Sequence, residues 1–174
     1  TLNYDTFPNP LILSLIYNKN VTDIIIENDH LLSVMINKKD QYGISCLIHS
    51  LVNQPENFQR LMESKYCTQE LVDVSCENYG NVLMVAIKFQ PLLANYILDS
   101  QFMSQKLLFG EIFYIHGINK NILLESIKDT NLFKKIIANK HFHKDLLLYM
   151  YPASNLLNEI ILDNAEGFKA LLEA

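Results

Sequence analysis

A short apolar pattern recurs five times along the chain. The copies share a leucine, an apolar residue, a variable residue, a small residue and a further apolar residue, except that the last copy has Glu159 at the small position. The copies begin at Leu11, Leu47, Leu83, Leu123 and Leu156. They are therefore separated by 36, 36, 40 and 33 residues. Self-similarity with a period of this size predicts a repeat architecture.

A second apolar pattern follows each copy of the first. It places apolar residues at positions i, i+3 and i+4, which lie on one face of a helix. These triplets begin at Val21, Phe58, Leu93, Phe133 and Phe168. Polar residues such as Asn18, Gln54 and Asp129 separate the two patterns, and such residues commonly end one helix and begin the next. Each unit is predicted to form a helix, a tight turn and an antiparallel helix.

The predicted hairpins have to pack on one another. One hairpin cannot bury both of its apolar faces, so neighbouring units are expected to share a continuous core. The small residue of the first pattern allows helices to approach closely; it is Ser14, Ser50, Ala86 and Ser126 in the first four copies. Extra apolar segments connect the units, and we expect them to form either short helices or extended segments. They lie at 31–34, 71–74, 106–109 and 145–148.

The repeat unit resembles the ankyrin repeat. In that family a Gly-x-Thr-Pro-Leu-His-x-Ala motif opens the repeat, and a leucine pair follows about 14 and 15 residues after the first leucine. Gly43 and Leu47 keep this spacing, Ser50 stands at the alanine position, and Leu61 and Met62 stand at the leucine pair. The Thr-Pro-Leu-His tetrapeptide itself occurs in no copy. The resemblance spans essentially the whole chain.

The resemblance implies an all-α fold, an ankyrin-like helical-repeat solenoid of stacked antiparallel helix pairs. It implies one domain over residues 1–174, and a helical-hairpin array of another type is the alternative. The repeats fall at about 7–39, 40–76, 77–116, 117–151 and 152–174. The last second helix carries Phe168, Leu171 and Leu172 with no repeat to cover them. Because terminal repeats normally have a polar outer face, we expect this chain to be excised from a longer protein.

Composition argues against several classes of function. Hydrophobic residues make up 49% of the chain and charged residues 19%, which argues against a disordered protein. The net charge is −5 and Arg60 is the only arginine, so no nucleic-acid partner is expected. No membrane insertion is expected either, because no apolar run approaches about 20 residues. Three cysteines without a CxxC pair favour a reducing, intracellular compartment, the cytoplasm or the nucleus.

Two pairs of residues have the types found in catalytic sites. Cys46 and His49 are three residues apart on a predicted helix, a spacing that permits contact, but no orienting third group or oxyanion hole accompanies them. His141 and His143 are candidate metal ligands, although residues two apart converge only on a strand. A hydrolase using either pair is one alternative. The leading prediction has no catalytic residue, no metal and no cofactor.

The resemblance also implies where a partner would bind. Ankyrin repeats recognise proteins through projecting finger turns and through the face of their first helices. A tyrosine in such a turn suits recognition because it offers a large contact area and a hydroxyl group. The candidate finger residues are Asp40, Gln41, Tyr42, Ile44, Glu77, Asn78, Tyr79, Asn81 and Tyr151. The candidates near the ends of first helices are Tyr17, Asn53, Gln54, Phe89 and Gln90.

The predicted function is that of a non-catalytic protein-interaction module, an ankyrin-repeat scaffold or adaptor whose partner is another protein. The many Asn, Ile and Lys residues beside a single arginine indicate an AT-rich genome. Since ankyrin-like proteins are abundant in large DNA viruses and intracellular parasites, the resemblance implies a viral or parasite protein directed at its host. A structural spacer or regulatory segment of a larger protein is the alternative from another class. The sequence indicates no oligomeric state.

Overall fold

The computed structural model describes residues 9–77, 79–109, 113–115, 118–120, 122–143 and 164–173. Most of these residues are helical, which confirms the predicted all-α character. The chain divides into two compact units, the first ending at Cys76 and the second beginning at Glu77. This division falls at the predicted boundary between the second and third repeats.

The first unit is built from short helices. Its elements are α1 (Pro10–Tyr17), α2 (Lys19–Glu27), α3 (Asp29–Met35), α4 (Cys46–Asn53), a 3₁₀ turn (Pro55–Asn57), α5 (Phe58–Met62), α6 (Gln69–Val72) and the strand β1 (Ser75–Cys76). Helix α1 packs against α2 and α4, α2 packs against α3, and α4 packs against the 3₁₀ turn and α5. The contact between α1 and α4 joins the first helices of two consecutive predicted repeats.

Polar caps set the boundaries of these helices. Asn9 and Ser45, which are 36 residues apart, each accept a hydrogen bond from a backbone N–H in the first turn of α1 or α4. Asn18 alone connects α1 to α2. Its backbone N–H donates to the Ser14 carbonyl, and its side chain accepts from the Val21 N–H. These bonds satisfy the end groups of both helices, so the chain can reverse within one residue.

The second unit contains further helix pairs and a small hairpin. Its elements are the strand β2 (Gly80–Asn81), α7 (Val82–Phe89), α8 (Pro91–Asp99), α9 (Gln105–Phe109), the strands β3 (Phe113–Ile115) and β4 (Ile118–Lys120), α10 (Ile122–Ser126), α11 (Thr130–Ile137) and α12 (Ala165–Glu173). Strands β3 and β4 pair in antiparallel register directly before α10. Helix α7 packs against α8 and α10, while α11 packs against α8, α10 and α12.

The first apolar pattern forms the core of each unit. The leucines that open its four described copies are all buried, and so are the small residues three positions later. Three of these small residues are serines, and each donates its hydroxyl to the carbonyl of the leucine. The bonds are Ser14 to Leu11 (2.8 Å), Ser50 to Leu47 (2.7 Å) and Ser126 to Leu123 (3.0 Å). Because a buried hydroxyl is tolerated when it is hydrogen-bonded, serine can replace alanine at this position.

The extra segments between the repeats form short helices. Helices α3 and α9 contain the apolar segments at 31–34 and 106–109, and α6 contains the first half of the segment at 71–74. Of the two expected conformations, short helices or extended segments, the short helices are therefore the ones found in these connections. The fourth segment, at 145–148, and the fifth copy of the first pattern, at Leu156, lie outside the described residues.

Candidate protein-binding surface

The turn that leads into α4 is a compact reversal of the chain. Lys39 and Ser45 form an antiparallel backbone bridge across it. Gly43 adopts a φ of 75°, a left-handed conformation that glycine takes without steric cost. The residues at the tip, Gln41 and Tyr42, are exposed, and Tyr42 keeps 66% of its surface accessible. This turn occupies the place of the predicted finger and presents an aromatic ring to solvent.

Asp40 holds the finger turn in shape. One of its carboxylate oxygens accepts hydrogen bonds from the backbone N–H groups of Tyr42 (2.8 Å) and Ile44 (2.9 Å). The other oxygen lies 2.8 Å from Nε2 of His49 in α4. Both side chains of this pair are only 13% exposed. Asp40 therefore positions the turn, whereas the Tyr42 side chain is exposed to solvent.

Two predicted contact residues of the first unit, Ile44 and Gln54, are buried. Ile44 is an apolar side chain at the inner end of the turn. The Gln54 side chain donates from Nε2 to the carbonyl of Ser14 (2.9 Å) and accepts from Nδ2 of Asn57 (2.9 Å). Their assignment to the binding surface is corrected, because Gln54 bonds to the preceding repeat and Ile44 is a buried core residue. The sequence showed only that Gln54 follows a helix, and a helix end is often exposed.

Asn81 is also buried and is also removed from the candidate surface. Its side-chain oxygen caps α7 by accepting from the Met84 N–H (3.0 Å), and its amide donates to the Leu107 carbonyl (2.8 Å). Asn9 makes the same pair of bonds at α1, because it accepts from Leu11 and donates to the Met35 carbonyl (2.8 Å). An asparagine before an apolar helix is a capping signal in sequence, and that signal could have identified this role.

Exposed apolar side chains lie together on the first helices of the first unit. Tyr17 keeps 80% of its surface accessible, and Leu13 and Ile16, which lie four and one positions before it, are also exposed. This spacing places all three on one face of α1. Val52 and Asn53 are exposed at the repeat-equivalent positions of α4, which packs beside α1. We call these five residues the first-helix patch.

Only Tyr17 and Asn53 of the first-helix patch were predicted from the sequence. Ile16 and Val52 are 36 residues apart and directly follow the buried first pattern. Their shared repeat position outside that pattern was a signal that they face away from the core. Neither α1 nor α4 contains a Lys, Arg, Asp or Glu residue. The patch is therefore an uncharged surface with apolar and amide groups.

Several charged residues of the first unit lie on its second helices and on the segments beside them. They form ion pairs that link consecutive repeats: Lys19 with Glu56, Arg60 with Asp23 and Glu27, and Lys65 with Asp29. The pKa of the Glu56 carboxyl is lowered by its own backbone N–H and by Lys19. Exposed pairs of this kind contribute little stability individually. They do, however, place paired charges around the second helices, whereas α1 and α4 carry no Lys, Arg, Asp or Glu residue.

The predicted contact residues of the second unit differ in how exposed they are. Glu77 and Phe89 are exposed, whereas Tyr79 and Gln90 are half-buried. The Lys88 ammonium lies 5.0 Å from the centre of the Phe89 ring, within the range of a cation–π interaction. Leu92, which the sequence did not single out, is 85% exposed at the start of α8. The two remaining candidates, Asn78 and Tyr151, lie outside the described residues.

The Cys46 and His49 pair lacks the geometry of a nucleophile and its base. Cys46 is fully buried, and its thiol donates to the carbonyl of Ile36 (3.2 Å). Burial raises the pKa of this thiol far above its ordinary value, which disfavours the reactive thiolate. The His49 ring meets Asp40 instead. This arrangement suits a structural thiol.

His141 and His143 follow α11 in an irregular segment. His141 is half-buried and donates its backbone N–H to the side chain of Asn139 (3.0 Å), and His143 is exposed. Within the residues that the structure describes, no group of three or more His, Cys, Asp or Glu side chains could hold a metal ion. Nothing in the described geometry brings the two histidines together as ligands.

None of the described helices combines the length and the apolar character that a membrane crossing requires. Comparison of the chain with protein-family models, with curated proteins and with solved structures gave no match.

Proposed function

We propose that this chain is a stack of degenerate ankyrin-like helical repeats that binds another protein and is not itself a catalyst. Within the cell, the cytoplasm or the nucleus is the proposed location, because the three cysteines are unpaired and buried thiols and reducing compartments preserve such thiols. The proposed role is that of a scaffold or adaptor.

The order of helix contacts supports the repeat stack. In the first unit α1 packs on α4, and in the second unit α7 packs on α10 while α8 packs on α11. First helices thus contact first helices and second helices contact second helices, as in a solenoid of hairpins. Backbone reversals before α4 and α10 lie where ankyrin-like fingers are expected. Short connecting helices account for the repeat steps that exceed the family's usual length.

The first-helix patch is the observation that carries the binding function. Scattered exposed apolar residues are normal on a protein surface, but a contiguous cluster marks an interaction site. Tyr17, Ile16 and Val52 come from two helices that pack side by side, and their positions repeat with the unit. Exposed tyrosines are enriched among residues that dominate binding energy. The buried leucines below keep the helices in place, so the surface residues can vary without loss of the fold.

A partner-capture experiment with matched variants tests this proposal. The site variant is Tyr17→Ser/Val52→Ser, and the control is Ile24→Ser, which changes an exposed apolar residue on α2. Partners captured by the wild type are identified by mass spectrometry and then titrated as purified proteins. We expect the control to retain binding and the site variant to lose about 2 kcal/mol or more of binding free energy. Equal binding by the folded site variant would place the interface elsewhere.

A further inference from the structure

The segment that enters the finger of the first unit carries two lysines, and its backbone lies beside the N-terminal end of α1. Lys38 and Lys39 are exposed, and neither forms an ion pair with any residue that the structure describes. Asp40 follows them directly, but its carboxylate is occupied by two backbone N–H groups and by His49. The two lysines and the adjoining Asp40 together carry a formal charge of +1, and no described carboxylate pairs with either ammonium group.

Hydrogen bonds fix the position of these lysines relative to α1. The Asn9 amide donates to the carbonyls of Met35 (2.8 Å) and Lys38 (3.4 Å). Asn9 is the N-cap of α1, whereas Tyr17 is the last residue of that helix. The rise of a helix is about 1.5 Å per residue, so Asn9, beside the Lys38 backbone, and Tyr17 are separated by about 12 Å along the axis. Leu13 and Ile16 lie between them on the exposed face.

We propose that the first-helix patch accepts a peptide segment of the partner in which an aspartate or glutamate lies about four residues from an apolar or aromatic anchor. This inference rests on the proposed protein-binding function and specifies the chemistry of the partner. An extended chain advances about 3.3 Å per residue, so four residues span the distance between the lysines and Tyr17. The anchor packs on the uncharged helix ends, and the carboxylate meets the lysines. Complementary charge at the edge of such a contact fixes its register.

A library of random 12-residue peptides displayed on phage is the probe for this experiment. The library is selected on the wild-type chain, on Tyr17→Ser, and on the charge reversal Lys38→Glu/Lys39→Glu. The matched control is Lys106→Glu/Lys128→Glu, which reverses two exposed lysines of the second unit and changes the net charge equally. Thermal melts establish that each variant is folded. An acidic peptide enriched on the wild type is then synthesised and titrated.

We expect wild-type and control selections to enrich peptides with Asp or Glu three to five positions, about four, from an apolar or aromatic residue. On Lys38→Glu/Lys39→Glu the preference at that position should change to Lys or Arg. Neutralisation by Lys38→Gln/Lys39→Gln should weaken binding of the synthesised peptide by about fivefold. Peptides that depend on Tyr17 but keep no charge preference, or an acidic preference that survives the reversal, would overturn the inference and leave the binding function standing. Enrichment independent of Tyr17 would overturn both.

Discussion

At the scale of single residues, buried amide side chains join one repeat to the next. Gln54 of the second repeat donates to the carbonyl of Ser14 in the first. Asn164 precedes α12 and donates to the carbonyl of Ile127 (2.8 Å), which follows α10. Each bond reaches a carbonyl near the end of a first helix, and the Ser14 carbonyl also accepts from the Asn18 N–H (2.8 Å). In both units, therefore, a buried amide side chain bonds to a carbonyl near the end of a first helix.

Replacement of Gln54 by leucine should destabilise the protein. The change keeps most of the side-chain volume but leaves the Ser14 carbonyl and the Asn57 amide without this partner. We expect a loss of about 1–3 kcal/mol in the free energy of unfolding, measured by urea denaturation. The control is Gln59→Leu, an exposed position on α5, which should stay within about 0.5 kcal/mol of the wild type. Equal effects of the two changes would show that the Gln54 bonds do not hold the repeats together.

Acid should weaken the link that Glu56 makes between repeats. The pKa of the Glu56 carboxyl is lowered in the folded protein. Its contribution to the free energy of unfolding is therefore fully present above the pKa that this glutamate has in the unfolded chain. That contribution is lost as the pH falls through the lowered folded pKa. Unfolding is measured for the wild type and Glu56→Gln at about pH 7 and about pH 3, on either side of a glutamate's ordinary pKa. The small stability difference between the two proteins should shrink in acid, and a difference that grows would contradict the assignment.

At the scale of elements, the small residue of the first pattern sets how closely the first helices pack. Ala86 is fully buried in α7, and the equivalent serines in α1, α4 and α10 are buried as well. A serine at this position bonds back to its own helix and so requires no partner on the neighbouring helix. The helices can approach closely because the residue at this position is small, whether it is serine or alanine. A larger side chain at this position would have to displace the neighbouring helix.

Replacement of Ala86 by leucine tests this packing. The added carbon atoms have no space at a fully buried position, so the change should cost about 1–3 kcal/mol of unfolding free energy. The control is Ala138→Leu, which introduces the same atoms at an exposed residue after α11. Denaturant melts of both variants are compared with the wild type. A cost within about 0.5 kcal/mol for Ala86→Leu would mean that α7 has a free surface there.

At the scale of the whole molecule, the chain forms two compact units that meet in sequence at Cys76 and Glu77. Each unit has its own buried leucines and its own helix pairs. Stability in repeat proteins is approximately the sum of repeat and nearest-neighbour contributions. Damage to one core is therefore expected to act most strongly within its own unit.

The variant Leu47→Ala should show this locality. Leu47 is fully buried in α4, and a cavity there should cost about 2–5 kcal/mol. Hydrogen exchange followed by mass spectrometry should show faster exchange in α1 and α4 than in the wild type, with smaller changes in α7 and α8. The exposed-site variant Val52→Ala on the same helix is the control and should leave exchange unchanged. An equal loss of protection in both units would show that they unfold as one.

The helices and their core positions could be predicted from the sequence because hydrophobic periodicity reports local geometry. Leu11, Leu47 and Leu83 recur at one repeat position, and a leucine flanked by apolar residues at helical spacing is buried wherever the helix packs. The all-α character followed from the same pattern. Exposed Tyr42 and Tyr17 could be recognised because they fall outside the pattern, at a turn and at a helix end.

Only the tertiary structure decided which residues between the patterns face solvent. Gln54 and Asn81 look like surface amides in sequence, yet each side chain is buried and needs a hydrogen-bond partner, which is a carbonyl 40 residues away for Gln54 and 26 residues away for Asn81. Conversely, Ile24 belongs to the same apolar triplet position as Leu61, but Ile24 is 62% exposed while Leu61 is buried. Periodicity determines which side chains share a helix face. Whether that face is covered depends on the elements packed against it, and distant parts of the chain supply those elements.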